Sequence, residues 1–287
     1  MFFQTVESVL WTGSPALKTR RFQQEYPLLK KLLETPDHNS PIKPLTEPSY
    51  QGFCKVVSPK KVMKRGNLES PEGRIAFLHA LAHIEYSAID LALDAVYRFR
   101  HLPVTYYEDW LEVAADEVRH FLLLTELLKH YGLSYGDLPV HSSLFEAAVK
   151  TPDLLSRMAV IPRYFEANGL DATDRMMHKI RDHYLDESWA PDILSTLDLI
   201  STEEISHVSK GSFWFRHACR QEGKEESVYF EIIQRLFPKN NLGHKTDITR
   251  KARLQAGFTQ EELNLIEHGS PQNRTFSSAS TGINDFS

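Results

Sequence analysis

Apolar residues recur every three to four positions through four long stretches of the chain, and no segment alternates strictly between apolar and polar. That period belongs to helices with one buried face, so an all-α fold is expected. The first stretch opens at Ser70-Pro71-Glu72, which reads as N-cap, first helical residue and first-turn acid. Leu78, Leu81, Ala82, Ile89, Ala92 and Val96 carry the period to about Arg100. After a break at His101-Leu102-Pro103, Thr105 and Glu108 are spaced as a capping box, and a second helix is predicted to reach Tyr131 and stop at Gly132. A third is expected from Thr151-Pro152-Asp153 to about Asp182, kinked at Pro162, and a fourth from Pro191-Asp192 to near Gly223. Four long helices with mostly short connections predict an antiparallel four-helix bundle over residues 70–223. Residues 1–69 read as an N-terminal extension with one helix over Phe22–Leu33 and proline-containing loops. Residues 224–268 read as a C-terminal helical extension, with helices over Val228–Leu236 and Thr259–Glu267 and a Thr259/Glu262 capping box. Residues 269–287, rich in Ser, Thr and Asn, predict a disordered tail.

Composition narrows the class without naming a function. At 41% hydrophobic and 25% charged, the 287 residues resemble an ordinary globular chain and exclude disordered, collagenous and coiled-coil classes. No apolar run approaches the ~20 residues of a membrane span. The start, Met1 to Trp11, carries Glu7 and no basic lead, unlike a secretory signal. Cys54 and Cys219 are too few for a disulfide framework and fit a reducing compartment, so a cytoplasmic location is expected. A net charge of −5 weighs against binding nucleic acid through the whole surface. Two basic stretches run the other way: Lys55, Lys60, Lys61, Lys64 and Arg65, and His244-Lys245 with Arg250-Lys251-Ala252-Arg253. Either could contact phosphate, but solvated surface is the simpler reading of both.

Chemistry enters with two Glu-x-x-His segments, Glu117 to His120 and Glu204 to His207. Spacing alone is weak, because 23 Glu and 13 His make about one such pairing by chance. Position strengthens it. Each motif lies some 13 or 14 residues into its predicted helix, and Glu85 and Glu166 lie at matching depth in the other two. Residues i and i+3 share a helix face, so each motif can present a carboxylate and an imidazole inward together. Four carboxylates with two imidazoles are the ligand set of a dinuclear site in a bundle core, and the four charges balance two divalent cations. Without metal the cluster should protonate in part or loosen the bundle. Residues two apart on a helix point to different sides, so His83 cannot join Glu85, and His79 and His83 are expected at the surface or between helices. Tyr86 and Tyr164, beside the first and third acids, are candidates for redox tyrosines, with ordinary packing as the simpler reading.

Glu85, Asp116-Glu117-Val118-Arg119-His120, Glu166 and Glu203-Glu204-Ile205-Ser206-His207 resemble the ferritin-like di-iron carboxylate proteins, over roughly residues 70–223. The Asp-Glu-x-Arg-His form is similar to the oxygen-activating branch, which includes bacterial multicomponent monooxygenases and acyl carrier protein desaturases. The resemblance implies that Glu85, Glu117 and His120 bind one iron and Glu166, Glu204 and His207 the other, with Glu117 and Glu204 bridging. It also implies that Asp116 orients His207 and Glu203 orients His120. The second motif departs from the pattern in two places: Glu203 replaces the usual Asp, and Ser206 stands where Arg is common. In whole-chain organisation the sequence is similar to a bacterial ferritin-like family catalogued as a domain of unknown function, and more distantly to the tRNA-modifying di-iron hydroxylase.

These readings lead to an O2-dependent di-iron oxidoreductase that hydroxylates or oxidises a small molecule with electrons from a separate donor. Hard carboxylate and imidazole ligands suit two iron ions or manganese, with zinc as a substitute. A hydroxylase of a tRNA nucleotide is the alternative enzyme, with RNA as partner, and an iron-oxidising protein of the storage class is the alternative outside enzymes. The roughly 70 residues before the bundle and 65 after it would hinder a storage cage. A monomer or small homo-oligomer without membrane contact is expected.

Overall fold

The computed structural model of the chain describes residues 1–34, 36–63, 67–239 and 242–269. It is all-α, and among the described residues the only β pairing is a single bridge between Val56 and Val140. Short N-terminal helices α1 (Phe2–Leu10) and α2 (Pro15–Leu32) come first. The long helices α3 (Pro71–Arg98) and α4 (Val104–His130) follow. Ser70 caps α3 as its sequence predicts, with Oγ accepting from Gly73 N at 3.1 Å. The Thr105/Glu108 capping box does not form. Pro103, with φ fixed near −54°, takes the N-cap position, so Thr105 already lies inside the first turn.

The third long segment widens where a kink was expected. Helix α6 (Leu154–Val160) is capped by Asp153, which accepts from Ser156 N at 2.8 Å. Residues Ile161–Glu166 then form a π-helical turn before α7 (Ala167–His183) resumes. Pro162 has no N–H to donate to Met158, so the α-type bond is lost there and the wider turn accommodates the ring. The facing helix α8 (Ala190–Glu222) makes room: a Cβ on Gly211 would sit 2.2 Å from Pro162 Cβ. Gly223, in the left-handed region at φ 63°, ends α8.

The short helix α5 (Ser143–Val149) lies in the α4–α6 connection and shows no periodicity long enough to predict it. The C-terminal part contains α9 (Val228–Leu236), α10 (Arg250–Gln255) and α11 (Gln260–His268). The Thr259/Glu262 capping box of α11 forms in both directions.

Helix α3 lies along α4, α4 against α8, and α8 against α6, the π turn and α7. Helix α3 and the third segment line opposite walls of a cavity. The flanking segments belong to the same packing. Helix α1 lies on α3 and buries Phe2, Phe3, Val6, Val9 and Leu10, and α2 lies on α4 and begins well before the expected Phe22. Buried apolar residues from α1 through α11 form one continuous cluster. No helix among the described residues is long and apolar enough to cross a membrane. The predicted tail from 270 onward, and Lys64 and Arg65 of the first basic stretch, lie outside the described residues.

Candidate metal centre

Glu85 on α3, Glu117 and His120 on α4 and Glu204 on α8 converge until one ligand atom from each lies within 4.8 Å of the others. Glu117, His120 and His207 are fully buried and Glu85 nearly so. Both bridging candidates approach both imidazoles. Glu117 lies 3.6 Å from His120 Nδ1 and 3.1 Å from His207 Nδ1, and Glu204 lies 3.9 and 3.4 Å from the same two atoms. Glu85 accepts from His120 Nδ1 at 3.2 Å. Glu166, the last residue of the π turn, lines the same cavity as Glu85, Glu117 and Glu204.

The outer nitrogens are held from behind. His120 Nε2 donates to Glu203 at 2.7 Å, and His207 Nε2 donates to Asp116 at 3.1 Å. With each Nε2–H given outward, Nδ1 is the nitrogen on the carboxylate side, where a bound cation would take the place of its proton. Arg119 ties the two outer acids together, bonding Asp116 at 3.0 Å and also Glu203. Sequence reasoning assigned Arg119 no role, although it stands inside the motif. Its partners become visible only when α4 and α8 are side by side.

Several of the atoms facing inward make ion pairs across the cluster but no hydrogen bond. Both Glu117 oxygens, Glu166 Oε2 and His207 Nδ1 are buried with no hydrogen bond. Leaving such groups bare costs about 1–3 kcal/mol each, more when charged. The titration of the cluster reflects the same crowding. Burial, with the Glu117 charge beside it, raises Glu85 to about 7, and burial with the Glu204 and Glu117 charges raises Glu166 well above the carboxylate range. Burial disfavours a charged His120, but Glu117 and Glu85 outweigh it and hold the imidazole up at about 11. Protons thus do in part what cations would do more completely. The donor chemistry, carboxylates plus imidazole nitrogens, suits a hard or borderline divalent metal ion.

Other candidates resolve differently. His79 and His83 are buried, not at the surface. His79 Nε2 accepts from Gly136 N at 3.0 Å and Leu138 N at 3.4 Å, and His83 bonds the Tyr135 hydroxyl at 2.9 Å and His141 O at 2.8 Å. Both pin the loop that leaves α4. Tyr86 is buried against Phe121, with ring centres 5.2 Å apart, and Tyr164 stacks on Phe237 at 5.7 Å. In the second basic stretch, Arg253 is buried on Asp171 at 2.6 Å, Lys245 bonds the same carboxylate, and Arg250 pairs with Glu267. Those three cations are paired within the fold, which corrects the reading of solvated surface for them, while His244 and Lys251 are exposed as expected. Cys54 and Cys219 are free and buried.

Residues 12–264 match the family described as "Protein of unknown function (DUF455)". The chain belongs to the DUF455 family. The match takes in the flanking helices from α2 to α11 as well as the four long segments, in keeping with their shared core. This DUF455 chain is also 36% identical over 276 residues to an "Uncharacterized protein" of Haemophilus influenzae, covering 92% of this chain and 93% of that one. No solved structure matches it.

Proposed function

We propose that this DUF455 chain is a ferritin-like di-iron protein that uses O2 to hydroxylate or oxidise a small molecule. Glu85, Glu117, His120, Glu166, Glu204 and His207 would hold the two ions. The observation that carries this reading is the set of buried inward-facing atoms on Glu117, Glu166 and His207 that make no hydrogen bond, within a cluster whose imidazoles are turned inward by Asp116 and Glu203. A purely structural cluster would meet those atoms with aligned hydrogen bonds, which buried polar groups rarely forgo, whereas here Glu117 and His207 meet only as an ion pair.

When bound, the ions supply the redox capacity to reduce O2 and oxidise a substrate C–H bond. Hydroxylation balances as R–H, O2, two electrons and two protons giving R–OH and water, with both electrons from an external reductant. The chain's own groups orient and exclude. Asp116 and Glu203 orient the imidazoles, Arg119 bonds both of those acids, and the walls beside the cluster are chiefly apolar. Manganese suits the same ligands, and zinc could occupy them during purification.

The test is elemental analysis of protein grown with iron, followed by anaerobic reduction and an O2 pulse. Near two irons per chain and O2 uptake by the reduced protein are expected. No bound metal after anaerobic reconstitution would remove the proposal. Glu117→Ala and His207→Ala should each stay soluble and lose most of the metal. Particle size separates an iron-storage cage, at hundreds of kilodaltons, from a 33.0 kDa chain or small oligomer.

A further inference from the structure

A cavity of about 410 Å³ opens directly onto Glu85, Glu117, Glu166 and Glu204, within the ~300–1,000 Å³ of small-molecule sites. Its walls are the facing stripes of α3 and the third segment. Leu81, Ile84 and Leu91 stand on one side and Phe165 and Met176 on the other. The space exists because the positions between them are small. Ala88 on α3, and Gly169 and Ala172 on α7, leave a gap that larger side chains would close. Gly169 is the clearest of these, since a Cβ there would meet nothing within 4 Å. It has no positive φ to demand glycine, so its backbone would accept a side chain. A glycine inside a helix costs roughly 0.5–1 kcal/mol relative to alanine, and here the bare, exposed position stands with Ala172 at the cavity's open mouth.

Charge decides what can enter. Among the described residues lining the cavity none is lysine or arginine, while four are glutamates. An anionic group would meet carboxylates with no unspent cation to receive it, and a strongly hydrated cation would lose its water to apolar walls. We propose that this cavity binds an uncharged, chiefly apolar small molecule, and that Gly169 and Ala172 set how large that molecule can be. The oxidation of such a molecule rests on the di-iron reading above, whereas its binding does not.

The uncharged dye N-phenyl-1-naphthylamine serves as probe, followed by fluorescence on the full-length protein, with 1-decanol and decanoate as competitors of equal chain length. Saturable binding of one dye per chain is expected, displaced by 1-decanol and at least about tenfold less well by decanoate. Gly169→Phe and Ala172→Trp should each weaken dye binding at least about tenfold with metal content unchanged. Phe213→Ser, which removes an exposed aromatic outside the cavity lining, should leave dye binding unchanged. Absence of saturable binding, equal binding by wild type and both cavity variants, or equal competition by the two ten-carbon molecules would each overturn the proposal. Metal analysis of the same samples separates the two readings. Two irons without dye binding would leave the di-iron proposal and remove this one, and dye binding without metal would do the reverse.

Discussion

At the scale of single residues, each imidazole of the cluster is held from behind by an acid. Glu203 holds His120 and Asp116 holds His207, with Arg119 across both acids. Removing one such partner from a metal-binding histidine typically costs about 10–100-fold in metal affinity. Glu203→Gln and Asp116→Asn should each weaken iron binding by that factor without loss of helix content, read by chelator competition and circular dichroism. His79 offers a pH test away from the ligands. Burial lowers it to about 4, and its Nε2 accepts two backbone N–H groups, so it must stay neutral in the fold. As pH falls, the unfolded chain, in which His titrates near 6.5, takes up the proton first. The contribution is therefore complete above about pH 7 and lost between about 6.5 and 4, on the order of 3 kcal/mol in all. Urea unfolding at pH 7.5 and 4.5 should show a smaller pH difference in His79→Gln, whose amide oxygen can still accept.

At the scale of elements, the π turn is the feature to perturb. It places Glu166 at the cavity and depends on two contacts made by other helices. Gly211 of α8 admits the Pro162 ring, and Glu262 of α11 accepts from Arg163 at 2.6 Å among Phe215, Tyr229 and Phe258. Arg163 is fully buried, so Glu262→Ala would strand its charge at a cost of about 3–5 kcal/mol. Gly211→Ala would force Pro162 aside at about 1–3 kcal/mol. Denaturant midpoints give both costs. Metal stoichiometry on the folded variants should fall in Gly211→Ala, because the turn that carries Glu166 must move.

At the scale of the molecule, metal bound at the cluster would be linked to the fold. Any ion that binds the folded cluster and not the unfolded chain adds stability by mass action, ~2.7 kcal/mol at a free concentration 100 times Kd. Thermal unfolding of the metal-free protein should therefore shift upward on adding Fe(II) anaerobically, and the shift should vanish in Glu117→Ala. By itself the sequence determined the all-α class, the capped starts of α3 and α11, and the depths at which Glu85, Glu117, Glu166 and Glu204 fall, because those follow from local period and end signals. It left α1, α5 and α10 unread: at seven and six residues α5 and α10 hold too few turns for a period to emerge, and α1 has no side-chain cap to mark its start. Proline chemistry at Pro162 was legible as a break, but whether the chain bends or widens there depends on the room that Gly211 leaves. Only the tertiary structure decided that Arg119 locks two acids on different helices, that His79 and His83 hold a loop, that Arg253 and Lys245 neutralise Asp171, and that small residues on α3 and α7 open a cavity onto the carboxylates. Each of these joins positions far apart along the chain, and local spacing carries no record of which distant side chain will face them.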